Sequence, residues 1–221
     1  MQARDYDRWY ETPQGRWIGA REVALITAAL APRPGESLLD IGCGTGYFTR
    51  ALAARVSGPV TGVDLNPDWI RYARGRDPVP GRYAVADAQA LPFADGAFDL
   101  IVSVTALGFI PDQRAALAEL LRVGRRRFAL GLLNCHSLLW WQQGRGGGHG
   151  GYAGAHWHTR SEVRALLRDL PVSELRLQSA IQLPGGGRFA RWLEASPAGA
   201  LPTGAFLLAT GDIVRPGSTE P

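Results

Sequence analysis

The residues able to do chemistry stand in order along the first half of the chain. Asp40-Ile41-Gly42-Cys43-Gly44-Thr45-Gly46 is an acid followed by a glycine-rich loop. Glycines let a backbone turn sharply and let a ligand approach without a Cβ in the way. The loop opens into a helix start, where partial positive charge gathers. Asp64 follows, 22 residues after Gly42, at the end of VTGVD. A carboxylate there has two oxygens for the two hydroxyls of a ribose. Asp87, at the end of RYAVAD, can accept from the exocyclic amine of an adenine. Taken singly, each acid reads equally as a helix cap or a solvated loop end. In this order, each at the end of an apolar run, they read as a nucleoside cradle.

Other chemistries are excluded or weakened. A dinucleotide loop reads G-x-G-x-x-G, and here the bulky Tyr47 stands where a small residue is needed. A phosphate-binding P-loop needs a lysine, and all 24 basic residues of the chain are arginine. Schiff-base chemistry falls with it. His136, His149, His156 and His158 lie in or beside GRGGGHGGYAGA. Three of them could offer metal-binding nitrogens, but glycine flanks oppose a preorganised site, so no metal is expected. No catalytic side chain is assigned. Glu22, on the first helix, could face the pocket but reads first as a solvated helix acid, and Cys43 reads as a small packing residue. Two cysteines make no disulfide framework and suit a reducing cytoplasm. No apolar run is long enough for a transmembrane helix.

Positioning these groups takes a regular alternation. A helix is expected over 16–31, then a strand in SLLDI, a helix near 46–56, a strand ending in Asp64, and a helix opened by Pro67. RYAVAD, FDLIVSV and RFALGLLN read as further strands, with a helix from Pro111 to Arg122. Strand–helix alternation of this kind implies a mostly parallel sheet with helices on both faces. Residues 134–158 break the pattern and read as a lid or a flexible insertion. Thr159-Arg-Ser-Glu162 is a capping-box pattern. SELRLQSAIQL and AFLLATGDIV close the sheet as an antiparallel pair. One domain is expected over 1–214, with a disordered tail at 215–221.

Charge is uneven: residues 111–221 carry 13 arginines against 8 acids, with the densest run at Arg122, Arg125, Arg126 and Arg127. That run reads first as a solvated strand entrance and second as a surface for an anionic partner or RNA. Trp9, Tyr10, Trp17, Trp140, Trp141 and Trp157 flank the expected pocket as a candidate substrate wall.

LLDIGCGTGYFT, VTGVDLNP, VADAQALPF and FDLIVSV together resemble the successive motifs of the class I S-adenosylmethionine-dependent methyltransferases, in particular the prokaryotic small-molecule-type group. The resemblance covers about residues 16–133. It implies an α/β, Rossmann-like three-layer sandwich whose seven-stranded sheet is mostly parallel with the last strand antiparallel. It implies S-adenosylmethionine as cofactor, with Gly42, Cys43 and Gly44 beside its methionine part and Asp40 supporting the loop. Asp64 and Leu65 would lie at the ribose and adenine, and Asp87 and Ala88 at the adenine edge. Ser103 and Val104 would face the methionyl amine through backbone groups. The N-terminal YDRWYETPQGRW is similar to aromatic N-termini that fold over the cofactor, which makes 1–31 a covering segment. The implied reaction is methyl transfer to a small molecule by in-line displacement. An RNA or protein acceptor, or a non-catalytic cofactor-binding module, are the alternatives. With no lysine, a charged contact to the cofactor's carboxylate falls to an arginine such as Arg16 or Arg21.

Overall fold

A computed structural model describes residues 2–215. The expected tail therefore lies, from 216 on, outside the described residues. The strands are β1 (Leu38–Ile41), β2 (Val60–Asp64), β3 (Tyr83–Val85), β4 (Phe98–Val104), β5 (Gly124–Leu133), β6 (Val172–Ala180) and β7 (Phe206–Ile213). They form one seven-stranded sheet in the order β3-β2-β1-β4-β5-β7-β6. β1 to β5 pair in parallel, and β7 runs antiparallel to both β5 and β6. The order reverses between β1 and β4, and a ligand crevice is expected at the carboxyl ends there.

The helices are α1 (Ala3–Trp9), α2 (Pro13–Leu30), α3 (Tyr47–Ala53), α4 (Pro67–Arg76), α5 (Gln113–Val123), α6 (Arg160–Leu167) and α7 (Arg188–Ala195). Strand side chains alternate between two helical layers, as a period of two requires. Leu38, Leu100, Val102 and Leu208 pack with Ile18, Val23, Ile26 and Leu30 of α2 and Phe48 and Leu52 of α3. Leu39, Ile41, Ile101 and Phe128 face Leu117, Leu120 and Leu121 of α5 and Val163 and Leu167 of α6. Each fully buried aliphatic side chain is worth about 1.5–3 kcal/mol.

Local signals set most boundaries. Thr12 caps α2 by accepting from Gly15 N–H at 3.0 Å, with Pro13 in the first turn. Asn66 caps α4, and Asp112 accepts from Ala115 N–H at 2.9 Å to start α5. The capping box of Thr159 and Glu162 is present in both directions. Two boundaries differ from expectation. β3 ends at Val85, because Asp87 turns the chain by accepting from Gln89 N–H at 2.9 Å. β5 begins at Gly124, three residues before RF, because the arginine run itself pairs with β4 and β7.

That run stands at the partly solvated entrance of β5, as expected, and each of its arginines is ion-paired there. Arg125 meets Asp99 at 2.8 Å, Arg126 reaches Glu36 at 2.7 Å, and Arg127 meets Asp212 at 2.6 Å. Arg122 joins Glu119 at 2.6 Å and Asp95 at 2.7 Å.

Residues 134–158 contain a π-helical turn at Trp140–Gly144 and short 3-10 turns. Both ends are fixed. Asn134 bridges His158 in parallel, and its amide donates to Pro202 and Gly204 carbonyls at 2.9 and 2.8 Å. His156 N–H donates to Gly108 O at 2.8 Å, which brings the segment against the turn after β4.

Candidate functional site

The glycine loop bridges β1 to α3. Its amides turn inward: Gly42 and Cys43 N–H both donate to Val63 O, at 2.8 and 2.9 Å. Gly44 N–H donates to Asp64 Oδ2 at 2.8 Å, and Asp64 Oδ1 accepts from Asn66 N–H at 2.9 Å. The loop is thus tied to the end of β2 and does not present a nest of free N–H groups to a phosphate. Glycine is needed here for close packing as well. Gly42 has φ +73°, and a Cβ on it would lie 2.2 Å from Ala106 Cβ in the turn after β4. Gly44 has φ +55°, and its Cβ would lie 2.9 Å from the Trp69 ring. Part of the glycine requirement is therefore close packing against the turn after β4 and against α4, in addition to the sharp turn and ligand approach expected from sequence.

Asp40 is buried in β1 and accepts from Thr49 Oγ1 of α3 at 2.6 Å. Burial pushes its carboxyl up to about 7 against the pull of that hydroxyl. It fixes α3 behind the loop. Cys43 is buried among Ile70, Ala73 and Tyr83, and burial pushes its thiol far above the usual range. Leu65 is 66% exposed beside Asp64, an apolar side chain left in solvent at a strand end. Ala88 is half-buried after Asp87. Ser103 and Val104 are buried at the end of β4. The next residue, Thr105, has φ +55°, a left-handed conformation that a β-branched residue rarely takes. Nothing in T-A-L-G-F signals it.

α1 lies over this edge. Its Tyr6 ring packs 5.3 Å from Trp69, its hydroxyl is 3.2 Å from that of Tyr10, and it lies beside Thr105. Tyr10 stacks on Tyr47 at 3.7 Å. The aromatic wall is therefore tyrosine-rich. Of the tryptophans expected in it, Trp141 is 65% exposed under Arg145, and Trp157 packs on Tyr152 at 5.4 Å. Tyr6 and Tyr152 were not among the expected residues.

Glu22 corrects the sequence reading most clearly. It is 8% exposed rather than solvated. Among the described residues it has neither a hydrogen-bond nor an ion-pair partner. Burial pushes its carboxyl up to about 8. Arg16 and Arg21 both turn elsewhere: Arg16 donates to Glu11 O at 2.6 Å and Arg21 to Glu194 at 3.0 Å. Of the histidines, His158 is fully buried 3.0 Å from Gln113 Oε1, and burial lowers it to about 4. His156 lies 3.3 Å from Glu162. A depression of about 260 Å³ lined by Gln113, Arg114 and His156, and another of about 380 Å³ lined by Pro13, Arg16 and Trp17, include no loop residue.

A doubly wound sheet with a glycine loop after β1, an acid at the end of β2 and another just past β3 is an arrangement common to nucleoside-binding α/β proteins. Comparison with known proteins narrows this. Residues 39–127 match the family described as a methyltransferase domain. The 2-methyl-6-phytyl-1,4-hydroquinone methyltransferase of Synechocystis sp. is 42% identical over 92 residues, which is 41% of this chain and 29% of that protein. A solved S-adenosylmethionine-dependent methyltransferase of Thermotoga maritima is 23% identical, with TM-score 0.75 over 95% of both chains. The geranyl diphosphate C-methyltransferase of Streptomyces coelicolor, solved with S-adenosyl-L-homocysteine, is 17% identical, with TM-score 0.64 over 88% of this chain and 76% of that one. At these identities the two structures speak for the fold. The chain spans less than half the length of the curated relatives it matches. Residues 39–127 thus match the methyltransferase domain family, and the whole sheet has the fold of solved S-adenosylmethionine-dependent methyltransferases.

The site fits that cofactor. A carboxylate has about four acceptor positions, and Asp64 uses one on each oxygen, which leaves capacity for two ribose hydroxyls. The exposed Leu65 offers an apolar face for a flat base. Asp87 is half-buried and retains acceptor capacity toward an amine.

Proposed function

We propose that the chain moves a methyl group from S-adenosylmethionine to a small-molecule acceptor, chiefly by positioning. The observation that carries this is Asp64, whose two oxygens tie the glycine loop and the start of α4 to the end of β2. In this reading Asp64 and Leu65 hold the ribose and adenine, Asp87 and Ala88 read the adenine edge, and Gly42, Cys43 and Gly44 flank the methionine part. Asp40 acts one step back, through Thr49. Ser103 and Val104 offer backbone groups to the methionyl amine.

When bound, the sulfonium supplies an already activated methyl carbon. The protein then needs only to align the acceptor and exclude water. In this reading residues 1–31 cover the cofactor, supported by Tyr6, which packs on the Trp69 ring that lies against Gly44. Residues 134–158 form the far wall and serve as the lid, through Tyr152 and the His156–Gly108 contact. We place the protein in the cytoplasm; no helix of the described residues is long and apolar enough to cross a membrane. With the arginine run engaged in ion pairs, a small acceptor is favoured over RNA.

Calorimetry with S-adenosylmethionine and S-adenosylhomocysteine tests the reading. Binding of both, weakened in Asp64→Ala, is expected. No binding of either at high micromolar concentration would overturn it.

A further inference from the structure

α2 buries one face that carries Gly15, Gly19, Glu22, Val23 and Ile26. Gly19 admits the Tyr47 hydroxyl so closely that a Cβ there would lie 2.3 Å from it. Glu22 follows three residues later, one turn along the same face, and is therefore beside the Tyr47 ring. Tyr10 stacks on Tyr47 at 3.7 Å, and Tyr6 joins Tyr10 hydroxyl to hydroxyl at 3.2 Å. Tyr152 arrives from the 134–158 segment within electrostatic range of both Glu22 and Tyr6. Four tyrosines from three separate parts of the chain thus gather at one carboxylate, and no described arginine or histidine pairs with it.

A buried acid without a partner is costly to a fold when ionised. Hydrophobic residues could fill the same space. A carboxylate with aromatic rings nearby is, however, an arrangement suited to a cation, which charge and ring quadrupoles both attract. The place also fits. Tyr6 reaches from this cluster to Trp69 and Thr105 at the cofactor edge, so a molecule bound at Glu22 lies next to that edge.

We propose that Glu22, with Tyr6, Tyr10 and Tyr152, forms the binding site for the methyl acceptor, and that this acceptor is an amine with an apolar or aromatic body. This rests on the methyltransferase reading above and names its substrate class. The free site holds Glu22 as the neutral acid; as the amine enters as an ammonium, the Glu22 proton passes to water and the carboxylate holds the cation. Glu22 then accepts one proton from the ammonium, which frees the nitrogen lone pair. The N–C bond forms as the methyl C–S bond breaks with its electrons left on sulfur. The product ammonium leaves, and Glu22 is again the neutral acid. Glu22 contacts the substrate here, whereas Tyr47 only positions the ring stack.

The test uses the full chain and Glu22→Gln, an isosteric change that removes only the ability to ionise. Calorimetry is run on the protein saturated with S-adenosylhomocysteine, titrated with phenethylamine and, as matched bodies, 4-ethylphenol and phenylacetate. Phenethylamine alone is expected to bind, and Glu22→Gln to weaken it at least about 30-fold. S-adenosylmethionine affinity is expected to stay within about threefold in the variant. Loss of cofactor binding in Glu22→Gln would mean that the acid holds the cofactor's own ammonium, and would overturn the proposal. Tighter binding of the phenol or the carboxylate, equal in both proteins, would also overturn it. So would the absence of any amine binding to protein that holds S-adenosylhomocysteine. Failure to bind S-adenosylhomocysteine at all would instead sink the methyltransferase reading itself.

Discussion

Arg50 of α3 meets Asp7 of α1 at 3.0 Å, and the same Asp7 oxygen accepts the Thr45 hydroxyl of the glycine loop at 3.1 Å. The other oxygen takes Tyr72 and Arg76 of α4, each at 3.3 Å. One buried carboxylate therefore fastens α1 to the loop and to both helices that follow β1 and β2. The covering position of Tyr6 depends on it, because Tyr6 is the preceding residue on a helix of only two turns.

Asp7→Ala leaves Arg50 without its buried partner. A loss of about 2–3 kcal/mol is expected, since removing one side of a buried pair strands the other. Urea unfolding measures it. S-adenosylmethionine affinity should fall about tenfold as α1 detaches from the loop. Unchanged affinity would show that α1 is not a cover.

Asp64→Ala removes two backbone acceptors and the proposed ribose contact together. Cofactor affinity is expected to fall about 30–100-fold, the value of a charged hydrogen-bond pair. The urea midpoint should move much less, because Asp64 is half-exposed at a loop end. A variant with the converse pattern, weak folding and intact binding, would relegate Asp64 to a loop tie.

Two glycines make an internal control. Gly44 has φ +55° and faces the Trp69 ring, so Gly44→Ala is expected to cost about 1–2 kcal/mol for the backbone alone, plus the clash. Gly75 lies inside α4 with nothing within 4 Å of its Cβ position. Gly75→Ala should stabilise by about 0.5–1 kcal/mol. Thermal unfolding of both variants separates the effects by sign.

The framework was legible because its signals are local. FDLIVSV is β4 residue for residue, Pro67 opens α4, and the Thr159–Glu162 box opens α6. Asp64 was legible because an acid at a strand end needs only its own strand to place it. Glu22 was not. It is buried on the α2 face where Tyr47 closes on Gly19, a contact between distant segments that no window of sequence brings together. The ion pairs of the arginine run were hidden for the same reason, since Glu36, Asp99 and Asp212 come to it from distant segments. The left-handed Thr105 follows from the close approach of Ala106 to Gly42, another contact between loops.

Glu22 gives the fold a measurable dependence on pH. Burial holds its carboxyl at about 8 in the folded chain, against an ordinary value of 4.5. Between those values the folded protein keeps a proton that the unfolded chain has released. Stability must then fall as pH rises through that window, because the folded state binds more protons there. Asp40, held at about 7 by burial, adds to the same slope. The groups around Glu22 do not blur it, since Tyr6, Tyr10, Tyr47 and Tyr152 are all pushed above 10. Glu22→Gln has no proton to exchange and keeps Asp40 unchanged. The difference in stability between variant and wild type isolates Glu22. It is expected to shift in favour of the glutamine by on the order of 3–5 kcal/mol from pH 4.5 to pH 8. Urea midpoints at three pH values across that range suffice. A constant difference would mean that Glu22 is already ionised in the folded protein and has found a cation there.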